Sequence, residues 1–119
     1  YELGSIPGTF DAGLAGFWFS HVPRARLDEF LEGFHRRLDS GAIVFVIDSV
    51  YVPGLGGELV SFPHADDTFK RRILPDGSTH LVLKNYYDPG QIRAILGDRS
   101  EGLRIEFGAR YWRARYEVR

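Results

Sequence analysis

Residues 10–48 read as an apolar run, FDAGLAGFWFSHVP, an amphipathic stretch, RARLDEFLEGFHRRLDSG, and a second apolar run, AIVFVID. Phe10 to Phe19 is almost entirely apolar or small, which suits a strand buried on both faces. Leu27, Phe30, Leu31, Phe34 and Leu38 then form one apolar stripe at helical spacing, leaving Arg24, Arg26, Glu29, Arg36 and Arg37 to water. Pro23 stands where a first helical residue belongs, and Gly41, after Asp39-Ser40, stands where the helix should stop. Ala42 to Ile47 is rich in β-branched residues and predicts a second buried strand, ending at Asp48. Strand, helix, strand is one crossover unit of a mostly parallel α/β sheet. Such sheets bind ligands at the carboxyl ends of their strands.

Composition narrows the class. With 119 residues the chain is one domain or part of one, and 44% hydrophobic and 14% aromatic residues predict a folded core. A net charge of -1 gives no basic excess of the kind nucleic-acid binders use. The absence of cysteine excludes a disulfide scaffold and thiolate metal sites, and fits a cytoplasmic protein. No apolar run approaches the roughly 20 residues that span a bilayer. The chain starts at Tyr1, contains no methionine, and has no glycine-rich phosphate loop ahead of its first strand. The expectation is the carboxyl half of something longer, or a trimmed product.

Beyond residue 48 the pattern is less regular. Residues 1–9 and 53–57 (PGLGG) read as loops, and 58–68 has no strong period. FKRRIL and THLVLK flank Pro75-Asp76-Gly77, a turn signal that predicts a β-hairpin excursion, with residues 53–85 as a loop and hairpin insertion in a single partial domain. Asp88-Pro89 opens a short helix carrying Ile92, Ile95 and Leu96. Leu103, Ile105 and Phe107 alternate with polar residues, as does Tyr111 to Val118, predicting a closing antiparallel pair.

Together, FDAGLAGFWFSHVP with its following helix, AIVFVIDSVYVP, and the tail LVLKNYYDPGQIRAILG and LRIEFGARYWRARYEV resemble the later half of a class I S-adenosylmethionine-dependent methyltransferase. The spacing of Asp11, His21 and Pro23 belongs to the same resemblance. It implies a partial Rossmann-like sheet containing the fourth to seventh strands of an order 3-2-1-4-5-7-6. It also implies S-adenosylmethionine as cofactor and a small-molecule methyl acceptor. The family's glycine-rich cofactor loop and the acidic residue that holds the ribose are not in this sequence, so cofactor binding by this chain alone is expected to be weak or nil.

The resemblance places Tyr1 near the adenine, and the backbone of Ala15, Gly16 and Phe17 beside the methionine part of the cofactor, with Trp18 as pocket wall. Gly16 either permits that close approach or packs under a helix. His21 maps to the mouth of the site as a general base, or braces the turn before the helix. Asp48 orients a substrate or base, or caps its turn. Tyr51, Lys84, Tyr86 and Tyr87 are candidates for the acceptor side, although tyrosines also fill cores. His35 is expected to face solvent. His64 with Asp66 and Asp67 lacks a second histidine in register and is not read as a metal site. In RYWRARYEVR the arginines share one face of an alternating strand and read as its wet side.

Two functional classes remain open, beside a third reading as a small α+β ligand-binding domain unrelated to methyltransferases. One is a methyltransferase half, active only when joined to its amino half. The other is a stand-alone α/β binding module that pairs through an exposed edge at 10–19, with a partner chain or with a second copy, because an apolar edge strand invites pairing.

Overall fold

In the computed structural model, which describes residues 3–119, the crossover unit forms as its sequence dictates. Strand β1 (Phe10–Gly16) leads through two 3-10 turns into helix α1 (Leu27–Arg36), which returns to strand β2 (Leu38–Ser49). β1 and β2 pair in parallel, from Ala12 opposite Ile43 to Gly16 opposite Ile47. Three short strands follow, β3 (Glu58–Ser61), β4 (Thr68–Ile73) and β5 (Thr79–Leu83), then helix α2 (Pro89–Leu96) and strands β6 (Ser100–Phe107) and β7 (Tyr111–Val118).

The main sheet has the order β1-β2-β7-β6, with β7 antiparallel to both neighbours. Chain order first, second, last, penultimate is the 4-5-7-6 portion of the implied methyltransferase sheet. The hairpin 68–83 forms as read and gains β3, so the excursion is a separate three-stranded antiparallel sheet, β3-β4-β5. Four residues are too few for β3 to show a period, and its start is set by backbone packing. Gly57, at φ +105°, places the site of a missing Cβ 2.2 Å from the Arg71 carbonyl oxygen, where no side chain fits.

The core lies on one face of the main sheet. Leu27, Phe30 and Leu31 of α1 and Ile92 and Leu96 of α2 pack on Val44, Val46, Trp112, Ala114 and Tyr116. α2 begins with a capping box: Asp88 accepts from the Gln91 backbone N–H, and the Gln91 side chain accepts from that of Asp88. Trp112, Ala114, Tyr116 and Val118 point inward while Arg113 and Arg115 point out, so the arginines do form the wet side of β7. No helix among the described residues is long and apolar enough to cross a membrane.

Four expectations are corrected. The strands at 10–19 and 42–47 are not buried on both faces: Leu14 is 71% and Phe45 48% exposed, because both helices lie on the opposite face. The helix ends at Arg36, and Leu38 belongs to β2, opposite Phe10. Gly41 does adopt the left-handed conformation (φ +84°), but within the irregular start of β2 and not as a helix stop. His35 turns inward, its Nε2 2.5 Å from the Tyr116 hydroxyl, and burial pushes its pKa down to about 4.

Candidate functional site

β1 and β2 run parallel, so their carboxyl ends, Gly16 and Asp48-Ser49, lie side by side. The chain leaves β1 through Phe17, a non-glycine residue at φ +56°, whose N–H donates to the Ile47 carbonyl at 2.8 Å. This turn carries Ser20 back over β2. The Ser20 N–H donates to Asp48 Oδ2 at 2.7 Å, and the Ser49 N–H donates to Asp48 Oδ1 at 2.7 Å. Asp48 is wholly buried. Its counter-charge is Lys84, only 7% exposed, whose Nζ lies 3.4 Å from Asp48 Oδ1 and donates to Ser20 Oγ at 2.9 Å. A buried carboxylate needs such a partner and full hydrogen bonding, and this one has both.

The segment after β5 completes the site. Its Asn85 is buried, donates to the Val22 carbonyl and Asp67, and accepts from the Thr68 N–H. The loop after β1 is thereby pinned to the second sheet. His21 Nδ1 stands 2.7 Å from the Leu83 carbonyl. A carbonyl only accepts, so Nδ1 carries a hydrogen, and in the neutral ring Nε2 is the nitrogen with the lone pair. Tyr51 and Tyr86 meet edge to face at 5.3 Å beside Lys84.

The structure therefore joins Asp48 and Lys84 through Ser20 and sets Tyr51 and Tyr86 beside Lys84, with His21 anchored nearby at the Leu83 carbonyl. Tyr87 is mostly buried against Phe19 at 5.2 Å, under the Arg24 guanidinium, and lines one cavity with Tyr51 and Tyr86. Ala15 faces the core as well, so it offers a ligand only its backbone. Gly16 is not packed under a helix, since a Cβ there would meet nothing closer than Ile47 Cγ2 at 3.9 Å. The glycine under the helix is Gly13, where a Cβ would sit 2.9 Å from the Phe34 ring. Phe17 and Trp18 are half exposed beside Gly16, and Tyr1 lies outside the described residues. Among the described residues no group of three or more His, Cys, Asp and Glu side chains forms a metal cluster; Asp67 instead accepts from the Arg24 N–H.

Ser20, Asn85, Lys70, Arg72 and Arg110 were not singled out from sequence. Lys70 and Arg72 carried a usable signal. In the strand FKRRIL they alternate with Phe69 and Arg71 and must share one face. For Ser20 and Asn85 the sequence holds no such signal.

No protein-family model and no curated protein sequence matches the chain. Solved structures do. The chain is similar to DhpI in its SAH complex over 98% of this chain and 51% of that one, at 19% identity and a TM-score of 0.70. It is similar to the PH0226 protein from Pyrococcus horikoshii OT3 over 97% of this chain and 57% of that one, at 11% identity and a TM-score of 0.72. A third match is an S-adenosylmethionine-dependent methyltransferase from Clostridium acetobutylicum ATCC 824, over 96% and 60%, at 11% identity and a TM-score of 0.64. The chain thus has the fold of part of a class I methyltransferase, and it spans between half and three-fifths of the length of these structures.

Proposed function

We propose that this chain is the acceptor-side half of an S-adenosylmethionine-dependent methyltransferase acting on a small molecule. The observation that carries the reading is the buried cluster of Asp48, Ser20 and Lys84, with His21 anchored beside it at the Leu83 carbonyl. It stands at the carboxyl ends of two parallel strands, in the sheet order of that fold. The space at Gly16 suits the cofactor, because a ligand can approach the backbone where a side chain would otherwise stand. The backbone of Ala15, Gly16 and Phe17 would hold its methionine part, with Trp18 as a wall. When bound, the cofactor would supply an electrophilic methyl group on a sulfonium, with a neutral thioether as the leaving group. His21 Nε2 takes the proton that the acceptor's nucleophile gives up as its bond to the methyl carbon forms. Lys84, held in place by Asp48, and Tyr51 and Tyr86 orient the acceptor for in-line attack.

The reading extends to a partner. β1 is paired on one side only among the described residues, and Leu14 and Phe45 lie exposed on the face away from the helices. We propose that the remaining part of the methyltransferase fold, with the glycine-rich loop, seats on this edge and face. A second copy of the chain there would support the stand-alone binding module instead, and would be seen as a dimer by light scattering.

Calorimetric titration with S-adenosylhomocysteine of this chain together with its amino-terminal half tests the reading. Saturable binding is expected, and Gly16→Val should weaken it by about tenfold or more, as a lost close approach does. The fold should survive, since the new side chain meets open space. No binding to folded protein, or unchanged binding by the variant, would remove the assignment.

A further inference from the structure

Next to the polar cluster, where β2 ends, lies a pocket of about 180 Å3. Its wall holds four cationic side chains, Lys70, Arg72, Lys84 and Arg110, with Ser49, Tyr86 and Tyr111, and no carboxylate. The whole chain carries a net charge of -1, so this concentration of positive charge is local. Asp48, behind the wall, offsets only Lys84. Lys70, Arg72 and Arg110 form no ion pair among the described residues.

Lys70 separates this pocket from an ordinary solvated face. It is 2% exposed, and its Nζ donates to the carbonyls of Leu55 at 2.9 Å and Gly57 at 3.2 Å. The rings of Tyr51 and Tyr86 lie 5.3 and 5.6 Å from the same ammonium. An ammonium has three N–H donors, and the Leu55 and Gly57 carbonyls use two of them. Burial first, then the charges of Lys84 and Arg72, hold Lys70 below the usual ammonium range. A buried cation held near other cations is unfavourable until an anion enters between them.

We propose that this pocket binds a doubly charged oxyanion, a phosphoryl group, carried by the methyl acceptor. Three uncompensated cations match a dianion better than a single carboxylate. Arg72 and Arg110 each offer a planar fork of donors that fits tetrahedral and planar oxyanions bidentately. The volume is right for a head group. Pockets enclosing whole drug-sized ligands run to about 300–1,000 Å3. The acceptor's body therefore lies outside this pocket, toward the loop after β1 and His21. That the phosphoryl group belongs to a methyl acceptor rests on the methyltransferase reading; the anion site itself stands on Lys70, Arg72 and Arg110.

The test is titration of inorganic phosphate, and separately acetate, into the full chain at low salt without cofactor, followed by calorimetry. Phosphate should saturate a single site and bind more tightly than acetate. The double variant Arg72→Gln/Arg110→Gln should weaken phosphate by about tenfold or more, as loss of charge-assisted hydrogen bonds does. Arg93→Gln/Arg104→Gln removes the same charge from exposed positions off the pocket and should change phosphate binding less than about twofold, as screened surface charges do. Equal effects of the two double variants, tighter acetate, or no phosphate binding would overturn the proposal. S-adenosylhomocysteine binding, measured on the chain together with its amino-terminal half, is read separately. Phosphate binding without it leaves the anion site standing and the methyltransferase reading refuted; the reverse result refutes the anion site alone.

Discussion

Removing Lys84 should leave a buried charge with no counter-ion, and the size of the effect follows from the geometry. Asp48 and Lys84 have side chains 0% and 8% exposed, 3.4 Å apart. At that separation and an effective dielectric of about 20, their attraction is about 5 kcal/mol. Lys84→Met also abolishes the cost of burying the ammonium, and Asp48 keeps its bonds from the Ser20 and Ser49 N–H groups. The net loss should therefore fall at about 3–5 kcal/mol, the range for breaking one member of a buried pair. Asp48→Asn should cost a comparable amount, because it strands Lys84. The double variant Lys84→Met/Asp48→Asn should cost about 2 kcal/mol or more less than the sum of the two, since neither charge is then left alone. Urea unfolding of the four proteins at pH 7 measures this cycle. Additive single effects, or a loss below about 1 kcal/mol for Lys84→Met, would refute the argument that these groups neutralise each other.

Two further predictions concern the core. His35 has its pKa lowered from 6.5 to about 4 by burial, with a smaller contribution from the Arg99 charge. The unfolded chain therefore binds a proton between these values that the native ring refuses, so stability should be unaffected above pH 6.5 and fall as pH drops from 6.5 toward 4. The full shift corresponds to about 3 kcal/mol, reduced to about 1–2 by solvent around the half-buried ring. His35→Gln should flatten the slope of stability against pH in that window, and an unchanged slope would count against the assignment. The Tyr87 hydroxyl is buried and lacks a hydrogen-bond partner among the described residues, so Tyr87→Phe should be neutral or stabilise by up to about 1 kcal/mol in urea unfolding. A loss of more than about 1 kcal/mol would mean that the hydroxyl is satisfied.

What could be read in advance was local. The stripe from Leu27 to Phe34, the Asp88-Pro89 helix start, the hairpin around Asp76-Gly77 and the alternation of the last two strands each depend on residues a few positions apart. The parallel pairing of β1 and β2 followed from the crossover between them. Burial did not follow in the same way. A continuous apolar run reads as covered on both sides, and only the placement of both helices on one face reveals that Leu14 and Phe45 are bare. His35 was misread because its partner, Tyr116, is 81 residues away. The polar cluster was legible only as separate candidates for the same reason: Ser20 lies 28 residues from Asp48 and 64 from Lys84.

These long-range bonds give the half-exposed end of β1 its fixed shape. Phe17 occupies the left-handed region without being glycine, a conformation costing about 1 kcal/mol or more. The cost is offset by its N–H bond to Ile47, by its edge contact with Tyr111 at 5.6 Å, and by what the turn delivers. Only a sharp reversal brings the Ser20 N–H over Asp48 and places His21 against the Leu83 carbonyl. The same Asp48 that anchors this turn also holds Lys84 at the pocket wall. One buried carboxylate thus sets the position of the turn that bears His21, the proposed base, and of Lys84 at the wall of the proposed anion pocket. The spacing of the two is then set by the sheet, through β2.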